Sequence, residues 1–107
     1  QKEVFLKIDF LYFEGCPSHE PALKMLKQVL KRNNVLSKIN IIEIKTEADA
    51  EKYHFLGSPS IHINGKDIEI ERQNDKYLYG CRIYRTAKGT SGIPPEEMIE
   101  KALKSNC

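Results

Sequence analysis

Thiol chemistry is what this sequence offers most clearly. Cys16 lies in the stretch YFEGCPSH, residues 12–19, where an apolar run stops at Glu14-Gly15 and an amphipathic run follows Pro17. A cysteine between a strand end and a helix start suits a nucleophile. The helix N-terminus contributes about 0.3 to 1 kcal/mol in favour of an adjacent anion, and the thiolate is the reactive form. His19 stands where the second cysteine of a Cys-x-x-Cys pair would be. It is a candidate pKa-modulating residue for the thiolate, a proton donor or a metal ligand. A dithiol reaction inside residues 16–19 is therefore ruled out. Release of a mixed disulfide on Cys16 has to come from Cys81 or from an external thiol.

Cys16 and Cys81 are the candidate catalytic pair, with Cys16 attacking a disulfide or oxidised sulfur and Cys81 resolving. Arg82, beside Cys81, is a second candidate cation for the thiolate. A Cys16–Cys81 disulfide would close a loop of about 65 residues, worth roughly 4 kcal/mol in the chain-entropy model. The plainer reading of Cys16 is an inert buried thiol, and that of Cys81 a satellite core cysteine anchoring the loop between Leu78 and Tyr84. Cys107, the last residue, reads as a bystander. Two further classes stay open. Cys16, His19, Cys81 and His62 could form a soft-metal site, although their spacing matches no closed zinc pattern. The chain could also serve only as a binding scaffold. Tyr77, Tyr79 and Tyr84, interleaved with Lys76, Arg82, Arg85 and Lys88, raise nucleic-acid stacking, but tyrosines in an irregular segment more often pack it to the body of a protein. Neither nucleic acid nor a cofactor is expected as a partner.

The composition bounds these readings. The 107 residues fit one domain, residues 1–107. A net charge of +2 is too small to imply a polyanionic partner by itself. No apolar stretch approaches the roughly 18 to 20 residues of a membrane span, and the first ten residues lack the regions of a signal peptide. An odd cysteine count at wide spacing argues against a secreted disulfide scaffold. A reducing, cytoplasmic setting is the expectation.

These side chains must be positioned by an alternating set of elements. Residues 4–13 alternate and then become continuously apolar, as in a strand buried on both faces. Pro17 fits a first helical turn, and Ala22, Met25, Leu26, Val29 and Leu30 recur at helical spacing until Asn33-Asn34. Residues 39–46 read as a second strand. Thr46 caps a short helix over residues 47–56, broken by Gly57-Ser58-Pro59. Residues 60–63 and 67–71 read as strands around Asn64-Gly65, a strong hairpin signal. Residues 72–92 are polar and turn-rich, with a possible extra strand at 81–84. Pro94-Pro95 opens a last helix with Met98, Ile99, Ala102 and Leu103 as its apolar stripe. The order β-α-β-α-β-β-α implies an α/β fold, a mixed central sheet with helices on both faces. If the third and fourth strands are antiparallel, the segment after residue 71 starts near Cys16, which would allow Cys81 to return over that thiol.

This order, Gly15-Cys16-Pro17 after the first strand, and GSPSIHING at residues 57–65 resemble the thioredoxin superfamily over residues 5–105. More narrowly, LYFEGCP and CRIYRT…GIPPEEMI resemble a little-characterised group of small prokaryotic thioredoxin-like proteins, some of which carry selenocysteine where Cys16 stands. The resemblance implies a thioredoxin-like fold, a cis-Pro59 lying against Cys16, and a thiol-disulfide oxidoreductase activity on a protein or low-molecular-weight thiol or disulfide. It further implies that Ser58 and Pro59 bind substrate, Ser58 by pairing its backbone with an extended segment, and that Pro59 keeps the thiol from capturing metal.

Overall fold

The computed structural model describes residues 5–106; Val4 and Cys107 lie outside the described residues. The chain runs β1 (Ile8–Tyr12), α1 (His19–Arg32), β2 (Ile39–Glu43), α2 (Glu47–Lys52), β3 (Ser60–Ile63), β4 (Lys66–Asp67), a 3-10 turn at Ile70–Arg72, β5 (Tyr84–Thr86), β6 (Gly89–Ser91) and α3 (Glu96–Ser105). The four-stranded sheet has the order β2-β1-β3-β4, with β1 and β2 parallel, β1 and β3 antiparallel, and β3 and β4 antiparallel. The fold is therefore mixed α/β.

β1 is central, so both of its faces must be covered. Ile8 and Phe10 join Ala22, Leu26, Val29 and Leu30 of α1, Ile61 and Ile63 of β3, and Ile99 and Leu103 of α3 in the larger core. Leu11, on the opposite face, packs with Ile44, Ala50 and Phe55, and with Tyr77 and Tyr79 at the margin. The helical spacing of α1 and α3 supplies the first layer. Period-two alternation of β1 supplies residues to both.

Local chemistry explains where elements stop. α1 ends at Asn33, after which Asn34 takes a left-handed conformation and Val35 N–H returns to the Leu30 carbonyl. α2 is capped by Thr46, whose hydroxyl accepts from Asp49 N–H at 3.0 Å. It ends at Lys52 rather than 56 because His54 turns left-handed and Phe55 N–H closes on the Ala50 carbonyl, which carries Phe55 into the core. The Asn64-Gly65 turn has positive φ at both residues and joins β3 to β4.

Three further expectations change. Pro17 precedes the helix rather than entering its first turn: Ser18 is the N-cap and His19 the first helical residue. The fourth strand stops at Asp67 instead of running to 71. There the Asp67 carboxylate accepts from Glu69 N–H at 2.8 Å, a local bond that competes with the ladder and turns the chain. The extra strand at 81–84 is replaced by the β5–β6 hairpin, while Cys81 pairs alone with Ser58 in a parallel bridge.

Gly57 joins α2 to β3 at φ +108°, and a Cβ there would lie 2.9 Å from Arg82 Cβ. The backbone strain and the contact together require glycine. Gly57→Ala is expected to lower stability by about 1 to 3 kcal/mol in urea unfolding. A loss below about 0.5 kcal/mol, as at an unconstrained surface position, would contradict this.

Candidate functional site

Cys16 follows the turn that leaves β1, where its N–H donates to the Phe13 carbonyl at 3.0 Å. Its side chain is 3% exposed and its Sγ donates to the Ser58 carbonyl at 3.5 Å. Ser58 is fully buried and precedes a cis peptide bond to Pro59. Its hydroxyl accepts from Phe13 N–H at 2.9 Å, so the loop before β3 is tied directly to the turn that carries Cys16.

The segment 77–84 closes over this junction. Leu78 N–H donates to the Phe55 carbonyl at 2.8 Å, and Tyr79 packs edge-on against Phe13. Ser58 N–H donates to the Gly80 carbonyl at 2.7 Å, and Arg82 N–H donates to the Ser58 carbonyl at 2.9 Å. Both main-chain groups of Ser58, expected to meet an extended substrate, are engaged by the chain itself. The same bonds bring Cys81 beside Cys16. Cys81 is exposed, and its thiol lies close enough to the Cys16 sulfur to share a hydrogen bond. That bond, with some burial and the charge of an ionised Cys16, pushes the Cys81 thiol above its ordinary value.

Arg82 anchors the strap. Its side chain is buried. It meets both carboxylate oxygens of Asp67 at 2.8 Å, and also Glu69 at 2.9 Å and the Ser60 hydroxyl at 3.0 Å. The guanidinium carbon lies 4.4 Å from the Tyr84 ring centre. Tyr84 is itself buried and donates its hydroxyl to the Pro59 carbonyl at 2.6 Å. Burial alone would lower the Arg82 pKa, but the pairing with Asp67 and Glu69 and the contact with Tyr84 together raise it, and the group stays charged. Arg82 is therefore committed to Asp67 and Glu69 rather than serving as a cation for the thiolate. The residues 67–71 are acid-rich, and that was the available signal for its partner.

The other predicted residues fall as follows. His19 stacks on Tyr12 with ring centres 4.7 Å apart, and its Nδ1 lies 2.7 Å from the Cys16 carbonyl oxygen. Its polar contact to Cys16 is thus with the main chain. His62 lies in a polar row across the sheet, in which Asn40, Asp9, His62 and Asp67 are successive cross-strand partners. Among the described residues no group of three or more His, Cys, Asp or Glu side chains is placed to hold a metal ion, so the four-residue soft-metal set does not assemble. No helix of the described residues is long and apolar enough to cross a membrane. Comparisons with family models, curated proteins and solved structures find no match to this chain.

Two outcomes follow from the buried polar groups. Arg82→Ala leaves Asp67 charged and unpaired, which is expected to lower stability by about 3 to 5 kcal/mol. Arg82→Lys should recover little of this, because a point charge cannot bond both oxygens and Glu69 together. Urea unfolding of both variants checks the pair, and near-wild-type stability of Arg82→Ala would remove the clamp.

His62 supplies the pH dependence. Burial holds its imidazole below the ordinary 6.5, against the opposing pull of Asp67 and Asp9 and with help from Arg82 and His54. As pH falls through 6.5 the unfolded chain takes up a proton that the folded chain refuses. Stability is therefore fully present above this window and declines below it, by at most about 1.4 kcal/mol per pH unit. His62→Gln should flatten the stability profile between about pH 7 and pH 5. Identical slopes for variant and wild type would exclude His62 as the source.

Proposed function

We propose that this protein is a small thioredoxin-like thiol-disulfide redox protein in which Cys16 and Cys81 cycle between dithiol and disulfide. The observation that carries the reading is the meeting of both cysteines at Ser58, Cys16 through its thiol on the Ser58 carbonyl and Cys81 through its backbone bridge, with the two thiols close enough to interact. Oxidation joins the two sulfurs and releases two protons and two electrons to an external disulfide, which becomes two thiols. Reduction is the reverse, with two external thiols as donors. The parallel β1–β2 pair, the antiparallel β3 and β4, and the loop Gly57-Ser58-Pro59 beside the first cysteine support the thioredoxin-like reading. Cys81 supplies from a distant segment the second thiol that position 19 lacks. His19 has a positioning role, holding the Cys16 carbonyl.

Mild oxidation followed by non-reducing peptide mapping tests the couple. A Cys16–Cys81 disulfide is expected. It should stabilise the oxidised form by roughly 4 kcal/mol over the reduced one in urea unfolding, from closure of a loop of about 65 residues. Cys81→Ser should abolish both effects. Persistently free Cys16 and Cys81, or pairing of either with Cys107 alone, would reject the reading.

A further inference from the structure

The two sulfurs of the pair have unequal access to solvent. Cys16 is 3% exposed, and its Sγ donates to the Ser58 carbonyl beside Cys81. Cys81 is exposed, and exposed Leu78 and Ile83 flank it along the strap. No neighbouring atom crowds the Cβ position of Gly80 beside it. Thiol-disulfide exchange proceeds with the incoming, central and leaving sulfurs nearly in line, so access decides which sulfur is attacked. An external thiolate aimed at Cys16 of the Cys16–Cys81 disulfide would have to reach a sulfur that burial leaves almost no open surface. One aimed at Cys81 arrives from solvent and expels Cys16.

The geometry points to Cys81 as the sulfur that exchanges with the partner, Cys16 as the internal leaving and resolving sulfur, and a low-molecular-weight thiol as the partner class. This assignment rests on the dithiol couple proposed above and reverses the order expected from the sequence, where Cys16 attacks first. The partner class follows from Ser58. Its N–H and carbonyl already serve Gly80 and Arg82, so an extended protein segment could pair there only by displacing residues 80–82. Those residues are held by the buried Arg82 clamp. A small thiol reaches Cys81 without moving them.

The steps balance without another reagent. A thiolate RS⁻ attacks Cys81 Sγ, the Cys81–Cys16 bond breaks, and Cys16 leaves as the thiolate while Cys81 carries the R–S group. A second thiolate attacks the R sulfur, forming RSSR and releasing Cys81, which takes up a proton. Two external thiols are oxidised and one protein disulfide is reduced by two electrons. In the reverse direction Cys81 loses its proton and attacks RSSR, which forms the Cys81–S–R mixed disulfide and releases one RS⁻; the Cys16 thiolate then attacks Cys81 Sγ, restoring the Cys16–Cys81 bond and releasing the second RS⁻.

The test uses the wild-type chain, oxidised and mapped to establish the Cys16–Cys81 disulfide. Glutathione is added, the reaction is quenched in acid at intervals, and free thiols are blocked after unfolding. Peptide mass spectrometry then reads which cysteine carries glutathione. Early time points should show glutathione on Cys81 in at least about tenfold excess over Cys16, as unequal access to the two sulfurs requires. Glutathione on Cys16, or equal amounts on both, overturns the assignment while leaving the couple intact. Absence of the starting disulfide rejects the couple itself, and the assignment with it.

Discussion

A buried guanidinium is costly to desolvate, and Arg82 is tolerated only because Asp67, Glu69, Ser60 and the Tyr84 ring answer it together. This pairing organises one side of the molecule. It joins the strap to β4 and the turn after it, so the chain from Leu78 to Tyr84 must pass over the start of β3. The strap's main chain then meets Ser58 and takes both of its main-chain hydrogen-bonding groups. Gly57 must lack a side chain because Arg82 lies against it. Cys81, the residue before Arg82, is placed beside Cys16 as a consequence.

Ser58 is the junction through which these parts communicate. Its hydroxyl holds Phe13, its carbonyl receives both Cys16 Sγ and Arg82 N–H, and its N–H reaches Gly80. The turn bearing one thiol and the strap bearing the other are therefore fixed to the same residue. The polar row beneath, from Asn40 through Asp9 and His62 to Asp67, keeps the far carboxylate in register with the clamp. Burial falls unequally on the two sulfurs because one leaves the central strand and the other rides on a surface segment. That inequality separates an internal sulfur from an external one.

Elements set by local pattern are legible in the sequence. The apolar stripes of α1 and α3, the Thr46 cap, the Asn33-Asn34 stop and the Asn64-Gly65 turn all depend on residues within a few positions of one another. Local pattern misleads where a side chain acts on backbone or on a distant partner. Residues 67–71 alternate like a strand, yet the Asp67 carboxylate takes Glu69 N–H and stops the ladder. The β5–β6 hairpin carries a weaker signal, since one glycine, Gly89, at φ +118° serves its turn. Arg82 looks like one more solvated cation in a basic stretch because its carboxylates lie 13 and 15 residues away in the chain.

The sequence by itself determined the alternation of strands and helices, the interruption at Gly57-Ser58-Pro59, and the presence of a cysteine between β1 and α1 without a local partner. These follow from periodicity, turn chemistry and adjacency, which act over short stretches. Only the tertiary structure decided that Cys81 meets Cys16, that Cys16 is the covered sulfur, and that Ser58 is occupied by the chain itself. The physical reason is that burial and ion pairing of Arg82 join segments that no local pattern connects, and the thiol geometry depends on that union.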